Sequence, residues 1–185
     1  MSKIAPGYSL RYIKTPYDRL WKFTINAFKV GDKPKFPNGA KNSFNMDTKV
    51  AYLDSFSPYI YVPKNGGVEI FSKILHEITY TMVDGLLMGP CDKSKYDTIS
   101  LFINDRYYFK LSPESYVLDI GYGDKCFLPF QYNQEDYWVL GEPFFRNFYT
   151  VFDAQKGIIG IAPSANVSQA SIFEGVVPTD DLPHP

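Results

Sequence analysis

Apolar and polar residues alternate along most of this chain with period two, the spacing of half-buried strands. Residues 11–30 read as two strands around a polar turn, Tyr12 and Ile13 before it and residues 21–30 after it, with Trp21, Phe23 and Ile25 on one side. A turn at residues 31–34 and a polar, Asn- and Lys-rich connection at residues 35–49 lead into residues 50–63. This last run is aliphatic and aromatic, interrupted once by a carboxylate and a hydroxyl, Asp54 and Ser55. A run of that kind belongs in a sheet interior, so an acid within it needs a reason. Either Asp54 opens a tight turn between two strands, or it is a carboxylate positioned for chemistry.

After a break at residues 64–67, the period changes. Val68, Phe71, Ile74, Leu75 and Ile78 recur at helical spacing, with Glu69 and Lys73 paired four apart on the outer face, and this is the one helix the pattern predicts. Strand patterning returns at residues 98–103, a turn at 104–106 and residues 107–111, together a hairpin signature. Residues 112–115 break it and residues 116–120 resume it. A closing block runs through residues 137–141, 144–153 and 157–162, again in the strand pattern. Gly141 stands between an apolar run and a polar turn, where the backbone passes close to something or adopts positive φ. From Pro163 the chain is small, polar and Pro-containing, which predicts an extended tail.

Composition narrows the picture. The 185 residues fit one domain, and 45% hydrophobic with 21% charged residues describes a soluble globular protein. Fifteen Tyr and fifteen Phe against 14 Pro and 13 Gly favour turn-rich β-structure. A net charge of -1 without a long basic run gives nothing to attract a phosphate backbone, so nucleic acid is excluded as a partner. No apolar run approaches the roughly 20 residues of a membrane span, and the first ten residues lack the apolar core of a signal peptide. If the protein is secreted, its targeting segment is missing from this sequence.

Cys91 and Cys126 suit one disulfide or two free thiols equally. With these two cysteines, His76 and His184, a zinc site has too few ligands and a Cys-His or Ser-His nucleophile has no support, so neither a metal nor another cofactor is expected. Packed or solvated roles suit both histidines.

The order of the pieces resembles the C-terminal lobe of a pepsin-like aspartic protease over residues 10–163. The strand with Trp21, Asp54 with a hydroxyl in an apolar strand, the helix, Cys91, the hairpin followed by Ser112-Pro113, and Cys126 all occur in family order. The closing block is the most specific part, where Leu140-Gly141, an aromatic and Tyr149-Thr150-Val151-Phe152-Asp153 match in type and spacing. The resemblance implies an all-β lobe of short strands with one or two short helices. It also implies an N-terminal extension at residues 1–9 and an extended tail at 164–185. By it, Cys91 and Cys126 form the family's disulfide, placing the chain in an oxidising compartment: the secretory pathway, a lysosome or vacuole, or outside the cell. Asp54 matches the catalytic aspartate, Ser55 and Ser57 the hydroxyl positions around it, and Leu140-Gly141 the segment crossing behind the active-site loop.

In the family two such lobes each supply an aspartate, and the pair shares a proton because two adjacent carboxylates do not both ionise cheaply. This sequence departs from that pattern. The family's Asp-Thr-Gly or Asp-Ser-Gly is here Asp54-Ser55-Phe56, and the lobe that would carry the other aspartate is absent from these residues. Three readings follow: a degenerate lobe kept for binding or structure, half of an endopeptidase completed by an N-terminal lobe or second chain, or an unrelated β-sandwich binding module. The first two imply a protein partner, with Phe56 and Tyr59 as contact candidates, and a peptide substrate belongs only to the completed enzyme. Asn166-Val167-Ser168 is a glycosylation acceptor pattern of a kind that also arises by chance.

Overall fold

The computed structural model describes residues 3–15, 20–31, 43–104, 106–167 and 170–174, with residues 43–48 described by their backbone. The turns expected at 16–18 and 32–34, Asp105, Ser168 and His184 lie outside them.

Fifteen strands and three short helices follow one another among the described residues. The order is β1 (Arg11–Lys14), β2 (Lys22–Val30), β3 (Ser43–Leu53), β4 (Ile60–Val62), α1 (Gly67–Ile74), β5 (Thr81–Val83), β6 (Leu86–Pro90), β7 (Ile99–Ile103) and β8 (Tyr107–Leu111). Then come α2 (Pro113–Tyr116), β9 (Leu118–Tyr122), β10 (Lys125–Phe127), β11 (Phe130–Tyr132), β12 (Trp138–Leu140), α3 (Glu142–Asn147), β13 (Phe148–Asp153), β14 (Ile158–Pro163) and β15 (Ser171–Glu174). An eight-stranded sheet, ordered β11-β4-β12-β3-β2-β7-β8-β15, is accompanied by a four-stranded sheet, β5-β6-β10-β9, and a three-stranded one, β1-β14-β13. The fold is the all-β lobe expected.

β2 carries the central packing. Phe23 and Ile25 face the core, and a bulge between Ile25 and Ala27 shifts the alternation by one, which returns Phe28 and Val30 to the same face. Ala27 instead packs on the opposite face with Phe102. The predicted hairpin forms with Ile99 opposite Leu111 and Ile103 opposite Tyr107. The Asn104 side chain fastens its turn to β2 by accepting from the Thr24 N–H at 3.0 Å and hydroxyl at 2.7 Å.

Several expectations change. The polar stretch at 43–49 is strand, not connection, because its backbone pairs with β2 over Lys29↔Ser43 to Ile25↔Lys49. Residues 112–115 do not simply break the pattern: Pro113 opens α2, where its missing N–H costs nothing. The aromatic run from Phe144 likewise begins as α3, not strand, with Pro143 in the first turn and a Glu142–Arg146 pair on its exposed side. β1 and β2 do not pair with each other: β1 joins β14. Beyond Pro163 the chain contributes β15, paired along β8 from Ser171↔Lys110 to Glu174↔Tyr107, with Ala170 and Ile172 buried. At the other end, residues 3–5 are tied in by an Ile4–Ser164 bridge and an Ala5 N–H to Pro163 carbonyl bond of 2.9 Å.

The predicted helix exists, but it faces the core differently. Ile70 and Ile74, four apart, are buried, whereas Val68 is 75% exposed, since two residues' separation from Ile70 turns it some 200° away. Lys73 is not on an outer face: it is buried, and its ammonium reaches Glu69 at 3.6 Å. Its methylenes cover the core while the charged end reaches outward.

Candidate active site

Three strands meet at the Asp54 loop. β12 lies between β3, to which it runs parallel with Leu140 beside Leu53, and β4, to which it runs antiparallel with Leu140 beside Ile60. The chain that leaves β3 must therefore arch over the end of β12 to enter β4, and β12 must continue beneath the arch. The Asp54 N–H donates to the Leu140 carbonyl at 3.1 Å, extending the ladder by one residue past the strand.

The arch is built by local hydrogen bonds. Asp54 accepts the Phe56 N–H on Oδ1 at 3.0 Å and the Ser57 N–H on its carbonyl at 3.2 Å, an Asx-turn of the sort Asp favours. Ser57 is buried, and its hydroxyl donates to the Tyr59 carbonyl at 3.3 Å while accepting the Tyr59 N–H at 3.2 Å. Of the two sequence readings of Asp54 the turn is the one the hydrogen bonds describe, and the residue stands exposed at the turn's mouth.

Beneath the arch, the Gly141 N–H donates to the Tyr59 carbonyl at 3.0 Å and the Glu142 N–H to the Ser57 carbonyl at 2.8 Å. A Cβ on Gly141 would lie under 3.0 Å from both of those oxygens, so glycine is here for close approach, not for positive φ, its φ being -96°. Behind Gly141, α3 drives Phe144 into a buried aromatic group, with Phe148 at 4.9 Å, Phe109 at 6.2 Å and Phe23 at 6.3 Å between ring centres. The loop is in this way fixed to the middle of the core.

Ser55 and Phe56 form the exposed tip, and the Phe56 ring is 97% exposed. Its backbone stays out of the left-handed region, so a side chain is accommodated there without strain and simply projects into solvent. Tyr59 is half-buried against Tyr61 and Phe127, each at 5.6 Å. The other acid at the crossing, Glu142, is held by Arg146 through bonds of 2.7 and 2.9 Å.

One residue sequence reasoning passed over is Asp136, which ties three segments at the end of β3, β12 and β4 opposite the arch. It accepts from the Lys49 ammonium on β3 and, at 3.0 and 3.3 Å, from the Asn65 amide and N–H after β4. The Lys49 hydrogen bond, with those from Asn65, holds its carboxyl below the usual range. Nothing in a Gln-Glu-Asp loop distinguishes such an acid from a solvated one.

Cys91 and Cys126 are bonded, with Cα atoms 4.9 Å apart. They join the end of β6 to β10, whose antiparallel register sets Cys126 opposite Gly89. Among the described residues no group of His, Cys, Asp or Glu is arranged to hold a metal ion, and no helix is long and apolar enough to cross a membrane.

An all-β lobe whose aspartate loop is crossed from below by a glycine strand is the architecture of a pepsin-like aspartic protease lobe. A family model described as eukaryotic aspartyl protease matches residues 7–164. Cathepsin D of Mus musculus is 25% identical over 162 residues, covering 83% of this chain and 36% of the cathepsin. Gastricsin of Suncus murinus is 26% identical over 152 residues (78% and 36%), and pepsin-2B of Gadus morhua 22% over 164 (85% and 45%). The chain belongs to the eukaryotic aspartyl protease family, and it spans between about a third and a half of the length of these relatives.

Proposed function

We propose that this chain is a C-terminal lobe of the pepsin type that does not cleave peptides by itself and serves as a binding or structural component in an oxidising, secretory compartment. The observation that carries the reading is the Phe56 ring, 97% exposed at the tip of the Asp54 loop, where the family pattern has glycine. Water attack on an amide needs a base and an acid together, and the family draws both from two aspartates sharing a proton. Asp54 brings one. Glu142, the other acid at the crossing, is engaged with Arg146. A second lobe approaching the Asp54 loop would meet the ring first, and close packing leaves little room for both a ring and an attacking water. The disulfide supports the compartment.

The short span relative to its relatives favours one further reading, a half-enzyme completed by another lobe or chain. The test is a peptidase assay across acid pH, with a pepsin-type transition-state inhibitor as control. No inhibitor-sensitive cleavage is expected. Cleavage that the inhibitor blocks and Asp54→Asn abolishes would overturn the proposal, and activity appearing first in Phe56→Gly would identify the ring as the obstacle.

A further inference from the structure

The chain passes from the three-stranded sheet to the eight-stranded one through a surface turn that follows β14. Ser164 anchors the turn by pairing with Ile4, by donating its N–H to the Asn147 carbonyl at 2.7 Å, and by accepting the Val167 N–H at 3.3 Å. The Asn166 N–H donates to the Ser164 hydroxyl at 3.4 Å. Ala165 and Asn166 form the exposed corner, Val167 turns back against the core, and Ala170 is buried as β15 begins.

We propose that Asn166 is the acceptor of an N-linked oligosaccharide. Asn166-Val167-Ser168 is the sequence's one Asn-x-Ser/Thr triplet, and its Asn166 lies at the exposed corner of a turn, the surface setting such a modification requires. Other asparagines are built into the fold: the amide of Asn147 is wholly buried between Ser112 and Pro143, and those of Asn65, Asn104 and Asn133 are also hydrogen-bonded. The Cys91–Cys126 bond is a second, independent mark of passage through the compartment where this modification is made.

The co-reactant is a lipid diphosphate-linked oligosaccharide, delivered by a transferase. The Asn166 amide nitrogen attacks the anomeric carbon; a C–N bond forms as the C–O bond to diphosphate breaks. The lipid diphosphate leaves with the electron pair, and the amide gives up one proton. Transfer takes place on the unfolded chain, so the exposed corner matters afterwards, when a bulky hydrophilic group must be carried without disturbing Val167 or Ala170.

The inference rests on the secretory reading, and two arms separate them. In one, the full coding sequence is expressed in eukaryotic cells; in the other, the same chain carries the leader of a known secreted protein. Each product is treated with peptide-N-glycosidase and analysed by mass, with unreduced thiols counted in parallel. Expected is one glycan, lost in Asn166→Gln and in Ser168→Ala and retained in Ser168→Thr. A leader-bearing chain that forms the Cys91–Cys126 bond yet leaves Asn166 unmodified overturns the proposal. A chain that is bonded and glycosylated with the added leader, but has free thiols and no glycan when made from its own coding sequence, upholds the acceptor and overturns the compartment.

Discussion

Gly141 donates its N–H to the Tyr59 carbonyl and passes so close beneath that oxygen that a single added methyl would collide with it. Because the Ser57 carbonyl is equally close, Gly141→Ala has no side on which to relieve the clash. The substitution must lift the whole arch from β12, losing the bonds at Tyr59 and Ser57 together. We expect a loss of about 3 kcal/mol, at the upper end for overpacking. Urea denaturation measures it, and a change within 1 kcal/mol would show that the crossing relaxes more freely than its geometry implies.

Removing the disulfide as the pair Cys91→Ser and Cys126→Ser frees a segment of 35 residues that contains the whole β7–β8 hairpin. In the chain-entropy account this costs ~3 to 4 kcal/mol, acting through the unfolded state. The same loss should appear when wild-type protein is unfolded in reductant, and an unreduced chain no more stable than the double variant would contradict it.

Asp136 makes stability depend on acid. Its folded-state carboxyl titrates below the ordinary value of 3.8, chiefly because of the Lys49 bond, so its contribution is complete above that value and disappears as pH falls through the lowered one. With the carboxylate about one-third exposed, solvent screening keeps the amount to about 0.5 kcal/mol. Wild type should therefore exceed Asp136→Asn in denaturation midpoint at neutral pH, with the two curves converging below pH 3.8. Parallel curves at all pH would rule out the ionised network.

Phe56 contributes to contact, not to folding. A ring 97% exposed has almost no packing to lose, so Phe56→Ser should leave stability within about 0.5 kcal/mol of wild type. Self-association, followed by sedimentation, should fall in the variant if the ring is the centre of an interface. Unchanged association would move the contact elsewhere.

The hairpin of residues 99–111 was legible because period-two alternation and a turn sit side by side, and Gly141 was legible as a special backbone position, whereas the choice between close approach and positive φ came only from the carbonyls of Ser57 and Tyr59 above it. The helix α3 was hidden by Phe144 and Phe145, which favour strands in isolation; Pro143 and the Glu142–Arg146 pair start a helix there, and Phe144 is then buried by the core. Residues 43–49 and 171–174 were illegible for a different reason. The first is mostly polar and the second only four residues long, and they become strands through the neighbours that β2 and β8 provide, information that lies far away along the chain. The thiols of Cys91 and Cys126 could be paired from the family resemblance, whereas Asp136 has only its folded partners to mark it.

β15 has a consequence for how the lobe behaves when cut. The family match ends at residue 164, yet the strand covering β8 comes from residues 171–174, with Phe173 stacked on Tyr108 at 4.9 Å. A polypeptide trimmed to the family boundary would leave the row from Tyr107 to Leu111 with open N–H and C=O groups along an aromatic edge. Such an edge is a template for another chain, so the trimmed lobe should add copies of itself strand by strand and drop out of solution. β15 is in this sense a guard over β8, filling the place that in the trimmed, seven-stranded sheet would stand open to a strand from another chain.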